Sequence, residues 1–152
     1  MTRKSTEGYI FKLFGGPIDW KSRRQGTMTA STTEAELLSL SHAGKELIGW
    51  KRLFKQIDFD PEDAYPNQIL CDNRQTVNLM TKESPVVKKN FKHVDVNQHL
   101  LRQEYQKGTL DIQWIGSKSM ASDGSTKPLP RQRFAQFLEK LGMADLRPHL
   151  GR

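Results

Sequence analysis

Three acidic side chains stand in settings suited to a hard cation. Glu36 lies in Ser31-Thr32-Thr33-Glu34-Ala35-Glu36-Leu37-Leu38, at the opening of a long helical pattern. Asp72 follows the apolar run Ile69-Leu70-Cys71 and precedes Asn73, at a strand end. Asp123 lies in Ser122-Asp123-Gly124-Ser125-Thr126-Lys127-Pro128-Leu129-Pro130. Carboxylates gathered from scattered positions suit magnesium, with manganese as a substitute, because such ions prefer oxygen ligands. Two such ions about 4 Å apart support in-line hydrolysis of a phosphodiester. Each acid also has a plainer reading. Ser31 with Glu34, and Thr33 with Glu36, both match a capping box. Asp72 and Asn73 are both good helix caps, and Asp-Gly is a strong turn pair. Two points favour chemistry. Glu36 precedes Leu40 by one turn at the edge of an apolar stripe and leans toward the sheet, whereas Glu34 leans toward solvent or the cap. Carboxyl ends of strands in open α/β sheets commonly carry ligands, which favours Asp72.

Other reactive types carry less. Asp95 and His99 are four residues apart and, with His93, invite a zinc reading, but no further ligand is evident and surface helix positions are the simpler account. Cys71, the single cysteine, reads as a small buried residue, and it cannot form an internal disulfide. Trp20 and Trp114 sit in strand patterns and read as core. The net charge of +7 favours nucleic acid or another polyanion as partner. Lys21, Arg23 and Arg24 form one basic cluster, and Lys82, Lys88, Lys89 and Lys92 another. Each is suited to neutralise phosphates, which makes binding weaken steeply with salt. Lys127 is placed to touch a phosphate or to cap its loop. No stretch approaches the ~20 apolar residues of a membrane span, and the N-terminus lacks the apolar core of a secretory signal. Both points agree with an intracellular setting, cytoplasmic or nuclear.

The elements that must position these residues follow from periodicity. Residues 8–14 and 18–22 read as a hairpin. A helix opens at Ser31 with Leu37, Leu40, Gly44, Leu47, Trp50, Phe54 and Ile57 on one stripe. The segment 58–67, with Pro61 and Pro66, reads as a loop. A short strand over 68–71, a helix around 76–80, a helix over 92–107 closed by Gly108, an alternating strand over 109–115 and a helix over 131–141 complete the order. With 152 residues, one domain over 1–143 and a tail over 144–152 are expected. The pattern is α/β.

The ordered set resembles the ribonuclease H domain of copia-type retrotransposon polyproteins. The match runs through Arg3-Lys4-Ser5-Thr6-Glu7-Gly8-Tyr9, Ile18-Asp19-Trp20-Lys21-Ser22, Thr33-Glu34-Ala35-Glu36, Leu70-Cys71-Asp72-Asn73, Lys92-His93-Val94-Asp95-Val96 with His99, and Ser122-Asp123-Gly124-Ser125-Thr126-Lys127-Pro128-Leu129. The resemblance implies a ribonuclease H-like mixed sheet flanked by helices. It also implies catalytic and metal-binding roles for Glu36, Asp72 and Asp123, with Mg2+ as cofactor. An RNA–DNA hybrid is the implied substrate, and the reverse transcriptase domain of the same polyprotein the implied partner. Nucleic-acid contacts are expected from Lys21, Arg23, Arg24, Lys88, Lys89 and Lys127. The family's central first strand, with its catalytic aspartate, precedes the matched segment and is expected to be missing. Neither Asp19 nor Asp111 has a positional claim to replace that aspartate. Many ribonucleases H carry a histidine before the last aspartate, and residues 116–122 contain none. Cleavage by the isolated chain is therefore expected to be weak or absent. A catalytically inactive nucleic-acid-binding remnant is the alternative.

Overall fold

A computed structural model describes residues 5–26, 32–59, 67–82 and 95–145. Strands β1 (Thr6–Leu13) and β2 (Gly16–Arg24) form an antiparallel hairpin whose register runs from Thr6↔Arg24 to Phe11↔Asp19 and then shifts by one residue. The shift brings Lys12 opposite Pro17, a residue with no amide proton to give the ladder. Phe14 and Gly15 turn the hairpin with φ of 53° and 82°, the paired positive values a two-residue turn requires.

Helix α1 (Thr32–Gln56) buries Ala35, Leu37, Leu40, Ser41, Ala43 and Gly44 along one side. It ends where Asp58 enters the left-handed region and Phe59 N–H returns to the Phe54 carbonyl at 2.9 Å, satisfying a terminal acceptor. Strand β3 (Gln68–Cys71) leads into α2 (Arg74–Thr81), and α3 (Asp95–Gln106) into β4 (Asp111–Trp114). Strands β3 and β4 are parallel, with Cys71 opposite Trp114. A 3-10 turn at Ser117–Ser119, α4 (Asp123–Thr126) and α5 (Arg131–Lys140) follow. The core joins Leu37 and Leu40 of α1, Ile69 and Cys71 of β3, Val77 and Met80 of α2, Leu101 of α3, and Leu110 and Ile112. Gly44 makes the α1–α3 approach possible, because a Cβ there would meet Leu101 Cδ1 at 2.5 Å.

The fold is mixed α/β, as expected, and the four described strands form two two-stranded sheets. Strands β1 and β3 do not pair with each other, because an open cleft lies between them. Trp20 and Trp114 are not core: they are 65% and 42% exposed. Alternation identifies a strand face but not whether another layer covers it. Ile57, at the end of the stripe, is also exposed, whereas Phe54 beside it packs against Phe59. The loop around Asp123 contains a helical turn, α4.

Candidate functional site

A cleft of about 640 Å³ follows β1 from Ser5 through Lys12. Its other walls are Thr32, Ala35, Glu36, Ser39, Leu40 and Ala43 of α1, Ile69 to Asp72, and the segment from Ser119 to Lys127. A larger and more open hollow of about 860 Å³ beside Tyr105 and Gly108 has Asp111 as its one lining acid, whereas Glu36, Asp72 and Asp123 all line the smaller cleft.

Each carboxylate reaches this cleft for a local reason. The stripe Leu37, Leu40, Gly44 turns the first half of α1 inward, and Glu36 stands at its edge. Thr33 does not cap Glu36; its hydroxyl donates to Gln75 Oε1 at 2.8 Å. Glu34 does not line the cleft, and Ser31 lies outside the described residues. Asn73 caps α2, accepting from Thr76 N–H at 3.1 Å. That leaves Asp72, one residue past β3, free of the capping duty. Ligand atoms of Glu36, Asp72 and Cys71 all lie within 4.8 Å of one another. Asp123 lines the same cleft but stands outside this tight group, with Oδ1 accepting from Lys127 Nζ at 2.8 Å. Its position depends on Gly8, where a Cβ would meet Thr126 Cγ2 at 2.6 Å.

The electrostatics reflect three acids on one concavity. The cleft walls strip hydration from Glu36 and raise its pKa; the nearby Asp72 and Asp123 charges raise it further, and Lys127 opposes them. The Lys127 pKa is raised, chiefly by its hydrogen bond to Asp123, with Asp72 and Glu36 adding to the effect. Lys127 is thus the counter-charge of the cluster. Burial pushes the Cys71 thiol up to about 11. The other two donors of the group, and Asp123 at the rim, are carboxylate oxygens, the ligand type that magnesium and manganese prefer.

The other expected residues divide. Arg23 is engaged by the buried Glu7 carboxylate, which also meets His42 Nδ1 at 3.1 Å. Removal from water disfavours the charged form of Glu7, but the hydrogen bonds and charges of Arg23 and His42 together outweigh it and lower the pKa. Lys21 is half-buried and Arg24 exposed on β2. Lys88, Lys89, His93 and the side chain of Asp95 lie outside the described residues. His99 is exposed and pairs with Gln103. Asp19 accepts from the Trp50 indole at 3.2 Å, and Asp111 accepts from Ile112 N–H at 2.8 Å; neither lines the cleft. Sequence reasoning missed the contact between Arg74 and Trp114. The guanidinium carbon lies 3.9 Å from the ring centroid, and the indole N–H donates to the Asp72 carbonyl at 3.0 Å. Arg74 follows Asp72 by two residues, but nothing local linked it to a tryptophan forty positions away.

The chain is similar to retrovirus-related Pol polyproteins of copia-type transposons. It is 31% identical over 141 residues to that of transposon TNT 1-94 from Nicotiana tabacum, covering 93% of this chain and 10% of the relative. It is 32% identical over 147 residues to that of transposon RE2 from Arabidopsis thaliana, covering 97% and 10%. It is 30% identical over 137 residues to the Ty1-NL2 Gag-Pol polyprotein of Saccharomyces cerevisiae, covering 90% and 8%. The chain therefore spans about a tenth of the length of these relatives. No family model and no solved structure matches it. Among the described residues, no helix is long and apolar enough to cross a membrane.

Proposed function

We propose that this chain is a retroelement-derived ribonuclease H-type domain whose substrate is the RNA strand of an RNA–DNA hybrid. The observation that carries the reading is the convergence of Glu36 and Asp72, with Asp123 at the rim, on one open cleft of a basic molecule. Neither the Glu36 nor the Asp72 carboxylate has a hydrogen-bond partner among the described residues, so both are available as ligands. Bound there, magnesium supplies Lewis-acid polarisation of a phosphoryl oxygen and an acidified water. Glu36 and Asp72 would hold the ion, and Asp123 would join them on giving up its bond to Lys127, which would leave Lys127 to face a phosphate. In the cleavage a water oxygen would bond to phosphorus as the bond from phosphorus to the leaving ribose oxygen breaks, the water giving up a proton to solvent and the leaving oxygen taking one from it. Hybrid recognition rests on groove shape, phosphates and ribose hydroxyls. The free edges of β1 and β3 along the cleft fit a further strand from the same polyprotein, carrying a fourth acid beside the other three. A reverse transcriptase domain is the neighbour this reading implies.

The second reading, an inactive nucleic-acid-binding module, draws on the same Lys127–Asp123 pair, which neutralises one of three acids. Incubating the purified chain with a labelled hybrid and Mg2+ separates the two. Slow, magnesium-dependent cleavage that Asp72→Asn abolishes supports the nuclease. Cleavage indifferent to Asp72→Asn overturns it, as does salt-sensitive binding without cleavage when the chain is joined to a strand that supplies the fourth acid.

A further inference from the structure

We infer that the stacked pair of Arg74 and Trp114 is a seat for a nucleic-acid backbone phosphate beside the carboxylate cleft. Trp114 ends β4 on the rung shared with Cys71. Its indole N–H holds the carbonyl of Asp72 at 3.0 Å, which ties the ring to the main chain of a cleft residue. Arg74, the first residue of α2, lays its guanidinium over that ring at 3.9 Å. A cation–π contact of this kind orients the guanidinium while leaving its planar fork of donors directed outward. Arg74 has no acidic partner among the described residues, so its charge is uncompensated. Both residues are exposed, and the 42% exposure of Trp114 means that the stack is not part of the core. An exposed arginine normally samples many rotamers. One held on an aromatic face has already lost much of that freedom, so closing on a ligand costs less. The ligand that matches a planar fork bidentately is a phosphate or carboxylate. The +7 charge of the chain selects the polyanion with regularly spaced phosphates.

The inference rests on the proposed function only in naming the strand whose neighbouring phosphate would enter the cleft. Binding itself requires no metal and is measured without one. Fluorescence anisotropy of a short labelled RNA–DNA hybrid in EDTA, across a salt series, reads it directly. Arg74→Met is expected to weaken binding about five- to tenfold at low salt and to reduce the slope of log affinity against log salt by about one. Arg74→Lys keeps the charge but loses the fork and is expected to fall between. Arg131→Gln, at the start of α5, is the control and leaves both quantities unchanged. Unaltered affinity and slope in Arg74→Met overturn the inference. So does a poly-glutamate probe that depends on Arg74 while the hybrid does not. If cleavage proves indifferent to Asp72→Asn but the Arg74 effect persists, the nuclease reading fails and this seat stands.

Discussion

Glu36 carries the strongest electrostatic conflict in the site. Its carboxylate sits against walls that remove water and opposite two like charges, and only Lys127 relieves it. In the unfolded chain these neighbours disperse, so the folded state holds the Glu36 proton to higher pH than the unfolded state does. The ionised form therefore costs stability. That cost is absent below the ordinary carboxylate range and grows as pH rises through the raised value. Glu36→Gln, without metal, is expected to raise the thermal midpoint at neutral pH by about 1–3 °C, a small gain because the cleft is open to screening water. The gain should fade as pH drops through the ordinary carboxylate range and be gone by about pH 3, where a glutamate is protonated in both states; calorimetric scans at neutral and acid pH check it. Magnesium should remove the penalty by replacing repulsion with coordination. Which of Glu34 and Glu36 faces the cleft was legible in sequence, because the Leu37–Leu40–Gly44 stripe fixes which side of α1 turns inward. The freedom of Asp72 was half legible. Asp72 and Asn73 are equal candidates for the cap of α2, and only coordinates assign that duty to Asn73. The Arg74–Trp114 stack was not legible, since the parallel register that joins them is a tertiary fact.

The element that positions Asp123 is α4, a single helical turn pressed against β1. Local sequence reads Asp123-Gly124 as a turn, and a four-residue helix has too few periods for any pattern to announce it. What fixes it is contact: the Ser22 hydroxyl donates to the Ser125 carbonyl at 2.5 Å, and Gly8 admits Thr126 and Ser125. A Cβ at position 8 would stand 2.6 Å from Thr126 Cγ2, 2.8 Å from Ser125 Oγ and 3.1 Å from the Lys21 carbonyl. The backbone acceptor cannot swing aside as a side chain can. Gly8→Ala is expected to cost about 1–3 kcal/mol of stability, the usual range for overpacking. It is also expected to push α4 outward, withdrawing Asp123 from the cleft. Mn2+ affinity, followed by titration calorimetry, should then fall about tenfold, a change of about 1.4 kcal/mol. Gly44→Ala provides the contrast. It meets the flexible end of Leu101 in the core, so it should lower stability while leaving the metal affinity of the folded fraction intact.

At the scale of the molecule, the site is shared between two halves held together by different forces. The apolar cluster joins α1, α2, α3, β3 and β4, and no residue of β1 or β2 belongs to it. The hairpin meets α1 through polar links, Glu7 to His42, Asp19 to Trp50, and Gln25 Nε2 to the Ala35 carbonyl at 2.9 Å, and through one aromatic contact at its turn, where Phe14 meets Phe59 beside Phe54. Individually such bonds are modest, so the hairpin should open at a lower free energy than the core. Hydrophobic periodicity made the core half legible, since its stripes and strand ends share one apolar centre. The split into two sheets was not legible, because each strand pattern is silent about which edge remains unpaired. The split has a functional consequence. Glu36 and Asp72 stand on the core half, whereas Asp123 rides on α4 against the hairpin. A cation bound by all three would staple the halves. At roughly a hundred times its dissociation constant, a ligand specific for the closed state stabilises it by about 2.7 kcal/mol, slowing exchange through opening up to about a hundredfold. Hydrogen–deuterium exchange with saturating Mn2+ is therefore expected to slow in 6–24 and 119–127, while β3, β4 and α2 change little. Unchanged exchange in the hairpin at saturation would mean that the ion is held by the core half alone and that Asp123 is not a ligand.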